Sequence, residues 1–163
     1  MRPHVLRSGV SRHAVTHVKK ACAYITRDGS ELLVFEGPEH DGLQIPKGTV
    51  EPGERPREAV YREAMEESGL AAFEAPRHLT TDVWTRRTGR RYVRSFYHAR
   101  VHEPRDSWTH VVTGAAEERG AEYEFSWVAL PTTEPFALDL DDHLQLLPVG
   151  GVAGSAVDGV AAD

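Results

Sequence analysis

The sequence has little of what would place it in several large classes of protein. It contains one cysteine, Cys22, which excludes an internal disulfide and favours a reducing compartment. Cys22 lies in an apolar, strand-like run, so we interpret it as a packing residue and not as a nucleophile. No apolar run approaches the length of a membrane span, and residues 1–10 lack the apolar centre of a secretory signal. We therefore expect a cytoplasmic protein with no membrane partner.

An excess of positive charge is also missing. The chain has 19 Lys and Arg against 25 Asp and Glu, a formal net charge of −6. This balance argues against a general nucleic-acid binder, so no stable nucleic-acid partner is expected. The 163 residues, 40% of them hydrophobic, suffice for one domain with a buried core. We expect a monomer or a homodimer.

The order of the predicted elements indicates an α+β fold, with a mixed sheet and helices in an α/β/α arrangement. Strands are predicted at residues 20–26, 31–36, 43–45, 79–87, 91–102 and 122–130, and helices at 56–68 and 136–147. Residues 103–120 are predicted to be mostly loop. An irregular arm at 1–17 and a disordered tail at 149–163 leave 18–148 as the folded domain.

One stretch, GTVEPGERPREAVYREAMEESGL at 48–70, combines a loop, a helix start and a helix stop. Pro56 suits the first helical position, where its missing N–H is not needed. Gly69 suits a left-handed cap at the other end. The stretch therefore predicts a helix over 56–68.

Three acidic side chains of this helix share one face. Glu63, Glu66 and Glu67 lie at i, i+3 and i+4, and we call them the carboxylate ridge. Stacked like charges destabilise a helix, and so do anions in its last turn. A divalent cation would reverse this effect, because hard cations prefer oxygen ligands. The alternative is a solvated acidic face, since glutamate is a good helix former.

The spacing of the whole stretch resembles the Nudix box, the signature of the Nudix hydrolases, with every specified position filled. The matching positions are Gly48, Glu54, Arg62-Glu63-Ala64, Glu66-Glu67 and Gly69-Leu70, separated by five, seven, one and one residues. The resemblance implies the Nudix fold, a mixed sheet between helices. It also implies hydrolysis of a diphosphate bond in a nucleoside diphosphate linked to another moiety X, with Mg²⁺, or alternatively Mn²⁺, as cofactor.

Metal ligands follow from the same resemblance. It implies Glu63 and Glu67 as the main ligands, with Glu66 and the backbone carbonyl of Gly48 as further ones. Nudix enzymes often use another glutamate outside the box, for which Glu118 and Glu122 are the candidates here.

Two more box residues receive roles from the resemblance. Arg62 would orient Glu63 or Glu54 through an ion pair, and Glu54 would either support the metal ligands or bind the metal through a water molecule. The general base is left open between Glu63, Glu66 and a glutamate of the 103–120 loop.

The substrate is not encoded in the box. Phosphate contacts are predicted for Lys47 and for an arginine-rich hairpin, because the arginine fork suits phosphate; the candidates are Arg86, Arg91 and Arg94. The segment LQIPKGTVEPGE resembles the entry to the box in dinucleoside polyphosphate and diphosphoinositol hydrolases of the family. A base could stack on an aromatic side chain, and the candidates are Trp84, Tyr92, Phe96 and Trp108.

Two other functions remain open at this stage. A catalytically silent Nudix module could sense a nucleotide, although such modules usually lose box carboxylates. An RNA 5′-end pyrophosphohydrolase would need a basic path for the strand.

Overall fold

The computed structural model describes residues 17–114 and 118–148. The strands are β1 (Val18–Arg27), β2 (Glu31–Gly37), β3 (His40–Gln44), β4 (Lys47–Thr49), β5 (Arg77–Thr85), β6 (Arg91–Arg100), β7 (Ser107–Val111) and β8 (Glu122–Ala129). The α-helix α1 (Pro56–Ser68) lies between β4 and β5, and two 3₁₀ turns, Ala137–Asp139 and Leu144–Leu146, follow β8. The predicted arm and tail lie outside the described residues, apart from His17.

The strands form one mixed sheet in the order β5-β6-β1-β2-β8-β7, with β3 added to β2 and β4 added to β1. β1 and β6 run parallel, and every other pair in the sheet is antiparallel. β1 is therefore central, because it contacts β6 along its length and β4 at its start. The predicted α+β class with a mixed sheet is confirmed.

Local signals explain where α1 begins and ends. Pro56 is the first helical residue, and the Glu58 side chain accepts a hydrogen bond from the backbone N–H of Arg55 at 3.2 Å. At the other end Gly69 adopts φ 74° and donates its N–H to the Met65 carbonyl at 2.9 Å. That left-handed φ is readily available to glycine and costs other residues free energy.

Each face of the sheet covers its own apolar core. On one face α1 packs Ala59, Val60 and Ala64 against odd-numbered residues of β1 such as Ala21 and Ala23. On the opposite face Cys22 and Tyr24 pack with Phe96 and with Leu140 and Leu147 of the C-terminal segment. Burial of each large apolar side chain contributes about 1.5–3 kcal/mol. Cys22 is thus a core residue, as its sequence context predicts.

The prediction of a second α-helix over 136–147 is wrong. Leu138 and Asp139 adopt φ values of 55° and 53°, which no right-handed helix can contain. Tertiary contacts hold this segment instead. For example, the Tyr24 hydroxyl donates to the Leu140 carbonyl at 2.6 Å. This segment covers the sheet face that the predicted helix would have covered.

Within the region predicted to be mostly loop, 103–120, the structure contains one strand that was not predicted, β7, at one edge of the sheet. β7 pairs antiparallel with β8 from Ser107↔Ser126 to Val111↔Glu122. α1, the α-helix found within 17–114 and 118–148, is too short and too polar to cross a membrane.

Candidate active site

The carboxylate ridge is largely removed from solvent. Glu63 and Glu67 are only 3% and 2% exposed, whereas Glu66 is half-buried. An ionised carboxylate is costly to bury unless it is paired or coordinates a metal. The alternative of a solvated acidic face is therefore wrong for Glu63 and Glu67.

Two glycines make room for this burial. A Cβ built on Gly48 would overlap the Glu63 side chain, and one built on Gly114 would overlap the Glu66 carboxylate. Gly48 lies in β4, which is held against β1 by the Ala21↔Gly48 pair. The Gly114 loop is held to the helix end because Thr113 donates its N–H to the Glu66 carbonyl at 3.0 Å. The backbone thus approaches the ridge from two sides.

Arg62 connects the ridge to Glu54. Its Nε and Nη2 donate to the two Glu54 oxygens at 2.8 and 2.9 Å, and its Nη1 donates to Glu63 Oε1 at 2.8 Å and Glu66 Oε2 at 3.2 Å. A further bond from Nη2 reaches the Thr49 carbonyl at 3.2 Å. Hydrogen bonds from Arg62 lower the pKa of Glu54, and the Glu54 carboxylate in turn raises the pKa of Arg62.

Burial sets the proton affinity of the two most enclosed carboxylates. Desolvation raises the pKa of Glu63, against the opposing effect of Arg62. Desolvation raises the pKa of Glu67 well above its ordinary value, although the Lys47 charge opposes it and the Lys47 backbone N–H donates to Glu67 Oε2 at 3.0 Å. In the absence of further positive charge, both groups therefore hold a proton more readily than a free carboxylate does.

The donor set fits a hard divalent cation. Glu63 Oε2 is buried and finds no hydrogen-bond partner within the described part of the chain, which is rare for a buried oxygen. The ligands that these residues can offer, the Glu63, Glu66 and Glu67 carboxylates and the Gly48 carbonyl, are oxygens, which Mg²⁺ and Mn²⁺ accept. Among residues 17–114 and 118–148, no three acidic, His or Cys side chains are already gathered around one point. Arg62 Nη1 lies between Glu63 and Glu66 instead.

The two glutamate candidates outside the box lie in different places. Glu118 acts electrostatically on Glu63 and Glu67 and lines the pocket described below. Glu122 is exposed at the start of β8. Because side chains alternate along a strand, it points away from the face that Tyr123 shares with the core. The structure therefore brings Glu118, and not Glu122, toward the ridge.

A pocket of about 380 Å³, which we call the sheet pocket, is lined by Cys22 and Leu140 on the sheet face opposite α1. It is linked to the ridge through Lys47 and Glu118, which line it and act electrostatically on Glu67. Its wall includes Lys47, Trp84, Arg86, Arg90, Tyr92 and Leu138. This volume lies within the range of small-molecule sites. The sheet pocket carries both positive charge and aromatic surface.

The predicted phosphate-binding residues differ in their availability. Lys47 and Arg86 line the sheet pocket. Arg94 lines it too but is only 3% exposed, and its guanidinium is held by Asp82 through bonds of 2.9 and 2.6 Å. Arg91 neighbours Tyr92 in β6, so alternation directs it to the other face of the sheet.

Sequence reasoning missed three parts of this region. Gly114 and Leu138 gain their importance only from long-range contacts, so no local signal could have found them. Tyr123 stacks on Phe35 at 4.2 Å between ring centroids and donates its hydroxyl to Glu39 Oε2 at 3.2 Å. Alternation in β8 could have indicated that Tyr123 faces inward.

Comparisons with known proteins agree with this architecture. The family model described as NUDIX domain matches residues 16–147. An RNA pyrophosphohydrolase of Psychrobacter sp. (strain PRwf-1) is 39% identical over 74 residues, which cover 42% of this chain and 40% of that protein. The chain thus spans well under half the length of that curated relative.

Solved structures share the fold at low sequence identity. A MutT NUDIX hydrolase from Burkholderia pseudomallei superposes with a TM-score of 0.60 at 24% identity, covering 81% of this chain and 98% of that one. A UDP-X diphosphatase superposes with a TM-score of 0.59 at 18% identity, covering 81% of this chain and 61% of that one.

Proposed function

Because the chain belongs to the Nudix family, we propose that it is a divalent-metal-dependent hydrolase of the pyrophosphate bond in a nucleoside diphosphate derivative. The observation that carries this proposal is the buried carboxylate ridge. Three acidic side chains are held together, two of them almost fully enclosed, and one oxygen of Glu63 has no partner in the described chain. Such a cluster is unfavourable without a cation, so its presence favours metal binding.

The metal would be held by oxygen ligands from this chain. Glu63 and Glu67 are the main ligands in this proposal, with Glu66 and the Gly48 carbonyl as further ones. When bound, Mg²⁺ supplies a lowered pKa for a coordinated water and neutralises charge on the phosphate oxygens. Mn²⁺ accepts the same ligands and is the alternative ion.

The remaining residues prepare the site. Arg62 binds Glu63 and Glu66 through one nitrogen and anchors Glu54 through two others, which fixes the orientation of these carboxylates. Enclosure by Gly48 and Gly114 keeps bulk water from the buried carboxylates, which strengthens electrostatic interactions within the site. The base that takes a proton from the attacking water is Glu63 or Glu66 of the ridge, or Glu118, which acts electrostatically on Glu63.

The sheet pocket suits a polyphosphorylated nucleotide, such as a dinucleoside polyphosphate. Lys47 and Arg86 offer positive charge for phosphate oxygens, and Trp84 offers aromatic surface. In a protein with a net negative charge, lysine and arginine side chains that line one cleft direct an anionic ligand to that cleft.

A substrate panel with Mg²⁺ tests the proposal. The panel contains nucleoside diphosphate sugars, dinucleoside polyphosphates and nucleoside triphosphates, and the readout is release of phosphorylated product. We expect the parent to act on at least one class and Glu67→Gln to lose at least about 100-fold in rate, as when an electrostatic group is removed from a site. The matched control is Glu124→Gln, which alters an exposed glutamate of β8 and leaves activity unchanged.

An inactive parent that still binds nucleotides would contradict hydrolysis and favour a silent nucleotide sensor. Isothermal titration of the parent with Mg²⁺ and Mn²⁺ provides an independent reading. Heat of binding that disappears in Glu67→Gln supports the metal site even if the panel misses the physiological substrate.

A second candidate is removal of pyrophosphate from an RNA 5′ end, favoured by the likeness to the Psychrobacter RNA pyrophosphohydrolase. A 5′-triphosphorylated oligonucleotide should then be cleaved in preference to the matching nucleoside triphosphate. Its binding should weaken steeply with salt, because each phosphate contact releases counterions. Equal rates on the oligonucleotide and the mononucleotide would exclude this candidate.

A further inference from the structure

The sheet pocket contains one aromatic side chain that is available to a ligand. Of the four candidates from the sequence, Phe96 is fully buried and Tyr92 is 9% exposed. Trp108 stacks on Phe125 at 5.3 Å and donates its indole N–H to the Ser68 carbonyl at 2.8 Å, outside the sheet pocket. Trp84 is half-buried and lines the sheet pocket.

The indole ring of Trp84 is fixed in angle. Its Nε1 donates to Asp139 Oδ2 at 2.8 Å. The Arg94 guanidinium lies 5.2 Å from the Trp84 ring centroid, and the Tyr92 ring lies 5.8 Å away at a tilt of 47°. The indole N–H is thus bonded and the Arg94 guanidinium lies over the ring, so this partly exposed tryptophan is a preorganised surface rather than a loose side chain.

The segment that supplies Asp139 is strained and clamped. Leu138 and Asp139 have φ values of 55° and 53°, a region that non-glycine residues rarely occupy. Arg94 of β6 donates from Nη1 to the Leu138 carbonyl at 2.7 Å. Trp84 of β5 binds the next residue, Asp139, so two strands hold the turn at adjacent residues. Strained turns of this kind persist only where the surroundings fix them, and they concentrate at ligand sites.

Strand register places Trp84 far from the ridge. Lys47 of β4 pairs with Cys22 of β1, which pairs on its other side with Phe96 of β6. Trp84 of β5 pairs with Tyr92 of β6, which pairs on its other side with Val18 of β1. The two positions are three strands apart, about 14 Å across the sheet, and about 13 Å apart along it. A ligand that touches both must be elongated, as a nucleoside with a chain of phosphates is.

We propose that Trp84 is the stacking platform for the nucleobase of the substrate and that Asp139 is the positioning residue that sets the angle of its indole ring. The phosphate chain of the ligand runs from Trp84 toward Lys47. The platform accepts any base, because every base has an aromatic face. This inference rests on the proposed function for the identity of the ligand, but it is tested by binding alone.

Binding without metal separates this inference from hydrolysis. The probes are ADP and, as a base-free comparison, inorganic pyrophosphate, titrated calorimetrically in the presence of EDTA. We expect Trp84→Leu to weaken ADP binding by about 5- to 100-fold, the range for loss of one base stack, and to leave pyrophosphate binding unchanged. Trp84→Phe keeps a ring and should retain most of the ADP affinity.

The matched control is Trp127→Leu. Trp127 is also half-buried, donates its indole N–H to a carbonyl, that of Arg105, and has the Arg27 guanidinium 4.4 Å from its ring centroid, but it does not line the sheet pocket. The Trp127→Leu substitution should therefore leave ADP binding unchanged. Equal ADP affinity in Trp84→Leu and the parent, or equal losses for ADP and pyrophosphate, overturns the platform. If Trp84→Leu behaves as expected while the parent hydrolyses nothing, the proposed function fails and the platform stands.

Asp139 requires its own test, because it acts through Trp84. Asp139→Gly removes the carboxylate and suits a φ of 53°, so the turn is kept and thermal stability should not fall. We expect this variant to lose ADP affinity while pyrophosphate affinity is unchanged, and Asp139→Asn, which keeps an acceptor, to restore it. ADP affinity in Asp139→Gly equal to that of the parent overturns the positioning role.

Discussion

Arg62 holds the Glu54 carboxylate with two hydrogen bonds, from Nε to Oε2 at 2.8 Å and from Nη2 to Oε1 at 2.9 Å. The same guanidinium uses Nη1 for Glu63 and Glu66. One planar group therefore sets the relative position of three carboxylates. A lysine would keep the charge but could not reproduce this fork.

We expect Arg62→Lys to weaken Mg²⁺ or Mn²⁺ binding by about 10- to 100-fold, as loss of a group that orients ligands does. Calorimetric titration measures the change. Arg57→Lys makes the same substitution at an exposed position of α1 and serves as the control. Unchanged metal affinity in Arg62→Lys would show that the carboxylates hold their positions without the fork.

The closeness of Gly48 to Glu63 leads to a second prediction. A methyl group at Gly48 would overlap the Glu63 carboxylate, which must then leave its buried position. We expect Gly48→Ala to cost about 1–3 kcal/mol of unfolding free energy, as overpacking does, and to abolish metal binding at millimolar concentrations. Denaturant unfolding and metal titration measure the two effects.

Gly53→Ala is the comparison for that variant. Gly53 lies in the loop that follows β4, with no heavy atom within 4 Å of the added Cβ, so only its positive φ carries a cost. Metal binding should survive. A Gly48→Ala variant with parental metal affinity would refute the link between this glycine and the Glu63 ligand.

Gly114 and Gly120 form a matched pair between β7 and β8. Their φ values are 87° and 90°, so alanine meets similar backbone strain at both. Only at Gly114 would the new methyl group strike Glu66, since nothing lies within 4 Å of it at Gly120. We expect Gly114→Ala to reduce metal affinity and hydrolysis more than Gly120→Ala, by about tenfold or more. Equal effects of the two substitutions would contradict a role for Gly114 in placing Glu66.

The parts of the fold that follow from local chemistry could be read from the sequence. Pro56 and Gly69 mark the ends of α1 because proline and glycine have strong local preferences. The second helix could not be judged in this way. Leu138 and Asp139 break it only because Trp84 and Arg94, far away in sequence, bind them in left-handed conformations.

The same division applies to the candidate site. The ridge was visible because Glu63, Glu66 and Glu67 share one helix face. Its burial was not, because the close approach of Gly48 depends on β4 pairing with β1. Strand β7 could not be predicted, because its five residues follow a charged, proline-containing stretch and form a strand only by pairing with β8.

Asp82, which lies away from the ridge, is expected to contribute to stability in a way that depends on pH. Burial alone would raise the pKa of Asp82, but hydrogen bonds from Arg94 and His143 outweigh it, so the pKa of Asp82 lies below its ordinary value. His143 Nε2 lies 2.8 Å from Asp82 Oδ2, and the nearest Arg94 nitrogen lies 2.6 Å away. The folded state therefore favours the ionised carboxylate.

A lowered pKa in the folded state means that the unfolded chain binds the proton more tightly. Stability from Asp82 is then fully present above the unfolded pKa, about 4, and is lost as the pH falls through the lower folded pKa. We expect Asp82→Asn to lower the free energy of unfolding by about 1–3 kcal/mol at pH 7, because the buried Arg94 guanidinium loses the carboxylate that accepts two of its hydrogen bonds. Below pH 4 the difference in unfolding free energy between Asp82→Asn and the parent should become smaller. Urea unfolding from pH 3 to pH 7 measures this, with Asp41→Asn in β3 removing an exposed carboxylate as the control. If the difference in unfolding free energy between Asp82→Asn and the parent stays constant from pH 3 to pH 7, Asp82 contributes by packing and not by its charge.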